Sequence, residues 1–274
     1  MVSEEFQISH IKRNGEYQMA QSHSHEYYEL YYLVDGSSKM FIGHSLHYIE
    51  AGGLLLLRPE ALHRASYTGD RTAERITVSF HPKLLSPLLE VCSREETELL
   101  LGQQVIVVPV LFRPFIEHLA DKIEEELKAG DRLSVFLAGN HLYEILSTAV
   151  RHGHKQAESR PDATEVLIQK AARYICRNYD KTLTLAEMAE FSHMTPSYFS
   201  RCFKKITGFG FKEYVIYVRV AQAEKLLSQT AKTVTEIASD CGFGDGNYFG
   251  DTFKRVKGMS PRAYRQMNGR ITIT

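Results

Sequence analysis

The four cysteines, Cys92, Cys176, Cys202 and Cys241, lie far apart and form no Cys-x-x-Cys pair. The expectation is a reduced, cytoplasmic protein. No apolar run approaches the roughly 20 residues that a membrane-spanning helix needs, and no membrane partner is expected. The acidic start MVSEEFQISH has no apolar core, so no secretory signal is expected. No extended low-complexity run interrupts the 274 residues, of which 43% are hydrophobic, so the chain is expected to be soluble, folded and long enough for two domains. Net charge is also missing, with 33 Lys+Arg against 33 Asp+Glu. That zero hides an asymmetry. Residues 164–274 hold 17 basic against 10 acidic side chains, leaving 16 against 23 for residues 1–163. A basic C-terminal part beside an acidic N-terminal part points to a polyanionic partner for the former alone.

What is present is a repeat. Residues 198–205 read YFSRCFKK and residues 248–255 read YFGDTFKR, and Gly208 and Gly258 follow them. A period of this length is the first thing to establish, because it decides the fold. Upstream, Thr184 with Glu187 and Thr233 with Glu236 have the spacing of a capping box, each leading into a small pair, Met188-Ala189 and Ile237-Ala238. The offset is 49 there and 50 further on, so the second copy carries one extra residue between its helices. Thr195-Pro196 and Asp245 are set to start the second helix of each copy, and the glycines to end it. Phe199 and Phe203, like Phe249 and Phe253, recur at i and i+4 and are expected in the core. Each copy therefore reads as a helix-turn-helix. FKEYVIYVRVAQAEKLL, residues 211–227, joins them as one stiff helix of about 25 Å. That length suits two recognition helices placed in successive major-groove segments of one duplex.

Ahead of the repeat, YYELYYLV over residues 27–34 is β-rich and ends at Asp35-Gly36, a strong turn signal. Residues 40–42, 54–57 and 76–80 add short strands, with no clear helix before about residue 83. A small β-barrel or double-sheet roll is expected. Phe112, Ile116, Leu119, Ile123 and Leu127 have helical spacing up to Gly130, and Asp131 can cap the next helix. Val135, Ala138, Leu142, Ile145 and Ala149 form a seam over two heptads that suits either the chain's own barrel or a second copy. GHKQAESRPDA, residues 153–163, reads as a flexible linker of about 18 Å.

His23, His25, Glu29 and Gly36 fit the spacing His-x-His-x3-Glu-x6-Gly, which resembles the first motif of the cupin family; Gly53, Pro59 and His63 resemble the second more loosely, with Arg58 and Glu60 departing from it. The resemblance implies that His23, His25, Glu29 and His63 could bind a divalent metal, and imidazoles with a carboxylate suit Fe, Mn, Ni, Zn or Cu. The same residues also suit a small polar effector, which is the reading preferred here. No cofactor is required.

Residues 165–265 resemble the DNA-binding domain of AraC/XylS-type transcription regulators. The resemblance rests on Ile237-Ala238, Gly242-Phe243, Tyr248-Phe249, Phe253-Lys254, Gly258, Pro261 and Tyr264-Arg265, with Arg219, Ala223 and Leu226-Leu227 of the joining helix. It implies an α+β chain: a cupin-like β-barrel with a helical hairpin, then an all-α double helix-turn-helix domain. The expected layout is a sensor over residues 1–100, a helical linker or dimerisation segment over 101–152, the flexible linker over 153–163 and a DNA-binding domain over 164–274. The two motifs would occupy residues 183–207 and 233–257. By the same resemblance Ser197, Ser200 and Arg201 face bases, with Lys204 and Lys205 near phosphates and Arg201 suited to a bidentate contact with guanine. The matching positions of the second copy are Gly246, Asn247, Gly250 and Asp251. There the sequence departs from the family, because an aspartate repels phosphate and Gly250 weakens its helix by about 0.5–1 kcal/mol. The first copy is expected to read bases, and the second to hold the backbone through Lys254, Arg255 and Lys257.

The resemblance thus implies a non-enzymatic, cytoplasmic DNA-binding regulator, an activator acting as a homodimer, with double-stranded DNA, a small-molecule effector such as a carbohydrate and RNA polymerase as partners. The alternatives are a cupin metalloenzyme fused to a DNA-binding module, and a constitutive binder whose barrel only dimerises.

Overall fold

The computed structural model describes residues 6–15, 17–18, 25–67, 72–157 and 161–268. The chain divides into two compact units, Met1–Arg160 and Pro161–Thr274.

Among the described residues of the first unit, ten strands form two sheets: β1 (Phe6–Arg13), β2 (Tyr17–Gln18), β3 (Tyr28–Asp35), β4 (Ser37–Ile42), β5 (Ser45–Glu50), β6 (Gly53–Leu57), β7 (His63–Tyr67), β8 (Ala73–Phe80), β9 (Ile106–Val107) and β10 (His154–Lys155). One sheet has the order β1-β8-β3-β6-β9-β10 and the other β2-β7-β4-β5. Successive side chains of a strand point to opposite faces, so β3 sends Leu30 and Tyr32 to one core and Tyr31 and Leu33 to another. The run Leu54–Leu57 in β6 is apolar throughout for the same reason, since both of its faces are covered. One core lies between the sheets, where Tyr31, Leu33, Leu55 and Leu57 meet Met40, Ile42, Ala65 and Tyr67. The turn from β3 to β4 needs Gly36: its φ is 86°, and a Cβ there would lie 2.8 Å from the Thr72 carbonyl oxygen.

The other core is roofed by helices. After α1 (Ser86–Val91) and α2 (Arg94–Leu101) come α3 (Arg113–Ala129) and α4 (Ser134–His152). Gly130 ends α3 in the left-handed conformation, and the Asp131 carboxylate accepts from the Leu133 and Ser134 amides. Ala138, Leu142, Ile145 and Ala149 of the α4 seam are buried in one cluster with Leu30, Ile76 and Val78 of the sheet. The seam packs on its own roll, one of the two uses that it allowed. The acidic run REETELLL before α3 and α4 is α2, started by a capping box of Ser93 and Glu96. The linker expectation also needs correction at its start. His154–Lys155 pairs with β9, the Gln156 backbone N–H donates to the Val105 carbonyl at 2.8 Å, and the Gln156 side-chain amide donates to the Tyr48 backbone carbonyl at 2.9 Å.

The second unit is helical: α5 (Ala163–Arg177), α6 (Leu185–Phe191), α7 (Pro196–Thr207), α8 (Phe211–Gln229), α9 (Val234–Asp240), α10 (Gly246–Lys257) and α11 (Pro261–Asn268). Capping boxes at Thr184 and Thr233 start α6 and α9; Thr195 and Asp245 cap α7 and α10 through the Tyr198 and Tyr248 amides. The joining helix α8 carries two buried stripes. Phe211, Tyr214, Val215 and Val218 form one, and Val220, Ala223, Glu224 and Leu227 repeat its spacing nine residues later. Nine residues at about 100° each turn through half a circle beyond whole turns, so the stripes lie on opposite faces. Phe211 and Tyr214 take the first copy's Phe199 and Phe203, while Val220, Ala223 and Leu227 take the second copy's Phe249 and Phe253.

Candidate functional site

Two groups of side chains carry the sequence-predicted sites, one in each unit. In the helical unit the buried faces of α7 and α10 fix what remains outside. Phe199, Phe203, Phe249 and Phe253 are fully buried, which turns Ser197, Arg201, Lys204 and Lys205 of α7 to the exterior, with Ser200 partly covered. On α10 the exposed set is Gly246, Asn247, Asp251, Lys254 and Arg255, with Gly250 partly covered. Most of the predicted DNA-facing residues therefore lie on the side of their helix away from the phenylalanines, with Ser200 and Gly250 at its edge. Tyr198 and Tyr248 were not placed in the DNA-facing set by sequence reasoning. They are 43% and 52% exposed, and the Arg201 guanidinium lies over the Tyr198 ring at 5.8 Å from its centroid. Their place immediately before a buried phenylalanine was the available signal.

Lys257 does not belong to this surface. Its Nζ lies 2.7 Å from Glu224 Oε2 with both side chains only 10% exposed, and Tyr264 donates its hydroxyl to Glu224 Oε1 at 2.5 Å. The expectation that Lys257 holds DNA backbone is thus corrected: its charge is engaged with α8, tying the end of α10 to the joining helix. A second tie crosses the copies. Arg219 of α8 donates to the carbonyls of Tyr179 and Lys181 at 2.8 and 2.9 Å, and its guanidinium sits 5.8 Å from the Phe243 ring centroid. Gly242, with φ at 75°, passes so close to the Tyr179 and Asp180 carbonyls that a Cβ would lie 2.8 Å from each oxygen.

In the roll, His25, Glu29 and His63 come together with one donor atom of each within 4.8 Å of the others. Glu29 projects from β3 and His63 from β7, so the two sheets each contribute. His23, the fourth predicted member, lies outside the described residues. His25 Nδ1 and His63 Nδ1 lie 2.8 Å from the carbonyl oxygens of Tyr27 and Ala61. A proton on each Nδ1 leaves the ligand lone pair on Nε2. His25 Nε2 is 3.3 Å from Glu29 Oε2. Burial acts to lower the His25 pKa, but the hydrogen bond and charge of Glu29 and the Tyr27 carbonyl outweigh it, and the value stands above the usual one. Two imidazoles and one carboxylate at this separation fit a borderline divalent cation such as zinc or iron, and fit equally the hydroxyl groups of a polar ligand.

Comparison with known proteins bears on both units. A family profile described as an AraC-like ligand binding domain matches residues 7–146, and one described as a helix-turn-helix domain matches residues 188–267. The chain is 34% identical over 119 residues to the uncharacterized HTH-type transcriptional regulator YisR of Bacillus subtilis, covering 43% of this chain and 42% of that protein. It is 38% identical over 111 residues to the bifunctional transcriptional activator/DNA repair enzyme AdaA of the same organism, covering 40% and 52%. With the lactose operon transcription activator of Staphylococcus xylosus the identity is 24% over 238 residues, covering 86% and 82%. The chain thus spans about half the length of the first two relatives and most of the third.

Proposed function

We propose that this chain, which belongs to the AraC family of transcription regulators by the profiles matched above, is a sequence-specific DNA-binding regulator whose roll binds a small-molecule effector. The observation that carries this reading is the double helix-turn-helix, in which α7 and α10 both expose polar rows while their aromatic faces are locked to one joining helix. Arg201 reads bases, and Lys204, Lys205, Lys254 and Arg255 hold phosphates. Ser197, Ser200, Gly246, Asn247, Gly250 and Asp251 complete the groove-facing set. Binding of this kind releases counterions and weakens steeply with salt. DNA as partner supports a cytoplasmic location, and no described helix is long and apolar enough to cross a membrane.

The effector site of this reading is the interior of the roll around His25, Glu29 and His63. Imidazole and carboxylate groups recognise hydroxyls, and the lactose operon activator among the relatives supports a carbohydrate. Homodimerisation is supported by Leu133 and Phe136 at the start of α4, apolar side chains that are 51% and 66% exposed. Activation through RNA polymerase is part of the same proposal, and no catalytic step is needed.

Genome-wide mapping of the full chain should recover a discrete set of sites with a shared motif, which Arg201→Ala should lose. Occupancy without a common motif would reject the regulator. The grouping of donor atoms favours one further reading, a divalent metal held by His25, Glu29 and His63. Elemental analysis of the purified protein should then give one ion per chain, absent from the His63→Ala variant.

A further inference from the structure

Residues of β8 alternate between the two cores. Ile76, Val78 and Phe80 face the helices, whereas Ala73 belongs to the core between the sheets, so Arg75 stands on the inner wall of the roll. The register agrees, pairing Arg75 with Leu33 of the same inner core. The Arg75 guanidinium carbon lies 5.8 Å from the Tyr31 ring centroid and 6.0 Å from that of Tyr67, two rings buried almost completely. Its Nε is buried with no hydrogen-bond partner, and among the described residues no carboxylate forms an ion pair with it.

A guanidinium stays charged in any protein environment, and Arg75, half-buried on the inner wall with its Nε covered, keeps that charge without a counter-ion, which is costly. Two tyrosine faces offset part of that cost, as rings with negative faces do for any cation. The remainder is what an anion from outside would remove. The opposite end of the same wall has the other sign: Glu29 lies four residues before Leu33 on β3, about 13 Å away along the strand, beside His25 and His63. An acid placed there would meet the Glu29 carboxylate, so the wall is polarised along its length.

From this polarity we infer that the effector is a small polar molecule with an acidic group, a carboxylate or a phosphate, docked on Arg75 between Tyr31 and Tyr67. Its hydroxyls reach toward His25, Glu29 and His63. The inference rests on the reading of the roll as an effector site and adds the charge and orientation of the occupant.

Thermal denaturation of the full chain tests it with matched ligands: galactose against galacturonate, glucose against gluconate, and glucose against glucose 6-phosphate. At saturation at least one acid should raise the midpoint by about 5 °C or more while its neutral partner does not, and the carboxylate and phosphate arms show which acid is taken. Arg75→Met should abolish that shift with an unliganded midpoint unchanged or raised, since it removes an unpaired charge. Arg75→Lys keeps the charge but loses the planar fork, and should weaken acid binding about tenfold without destabilising the roll. The inference is overturned by a neutral partner that stabilises as well as its acid, by Arg75→Met retaining the shift, or by silence from every acid. Gel-shift binding to a mapped operator, measured on the same preparations, would be untouched by those outcomes, so the regulator reading can survive the loss of this one.

Discussion

The two helix-turn-helix copies share their buried residues and diverge at their ends, turns and outer faces. Phe199 and Phe203 correspond to Phe249 and Phe253, all fully buried, and Met188-Ala189 to Ile237-Ala238. The left-handed residue of the turn is His193 in the first copy, φ 54°, and Gly242 in the second, φ 75°. Gly244 supplies the second copy's extra residue. On the outer face Arg201 stands opposite Asp251. At the last turn Thr207 donates to its own helix, to the Phe203 carbonyl at 2.7 Å, where Lys257 reaches α8 instead. The first copy is thus closed by local bonds, the second by bonds to its neighbours. Geometry is held by what is buried, and the exposed positions are left to vary.

The largest test of this contrast is at the last turn. Lys257→Ala strands the Glu224 carboxylate among α8, α10 and α11 and should cost about 3–5 kcal/mol in urea unfolding. Thr207→Ala, which removes one buried hydrogen bond, should cost about 1–2 kcal/mol. Joint replacement of Glu224 and Lys257 by Met should recover most of the larger loss; failure to recover would mean the pair is not the tie. Next comes the turn. Gly242→Ala meets two carbonyl oxygens at a positive φ and should cost about 2 kcal/mol or more, while His193→Gly should change stability by less than about 1 kcal/mol. In DNA binding, Arg201→Ala should lose about 1–3 kcal/mol of operator affinity at fixed salt, and Asp251→Ala should leave it unchanged or tighter. The reverse order would make the second copy the base reader. Smallest is Gly250→Ala. A Cβ there meets nothing within 4 Å, so stability should rise by about 0.5–1 kcal/mol with the operator motif unchanged.

The helical unit was legible because its signals are local. A capping box, a helix-ending glycine and an i,i+4 phenylalanine pair each sit within one turn or two, and a repeat shows them twice. The Glu224, Lys257 and Tyr264 cluster joins three helices and has no local signature, so Lys257 looked like any basic residue near a groove. In the roll, β3, β4, β6 and β8 were visible from their apolar runs. β1 was not, since FQISHIKR pairs only with β8 and buries only Phe6 fully. β7 was hidden by its composition, because His63 and Arg64 are buried polar residues in a short strand. α2 has no expectation in the sequence, although Ser93 and Glu96 form the same box recognised at Thr184 and Thr233. Among the polar residues of the proposed effector site, spacing pointed to His25, Glu29 and His63, which lie together. It could not find Arg75, whose meaning depends on which face of β8 it occupies.

The opposed stripes of α8 make its length far less negotiable than its composition. Another hydrophobe at 220, 223 or 227 could still pack, but one residue added or deleted between Val218 and Val220 would swing everything downstream by about 100° and slide it by about 1.5 Å. Descendants of this chain can rewrite what each motif recognises one side chain at a time, while the phase between the motifs is inherited whole.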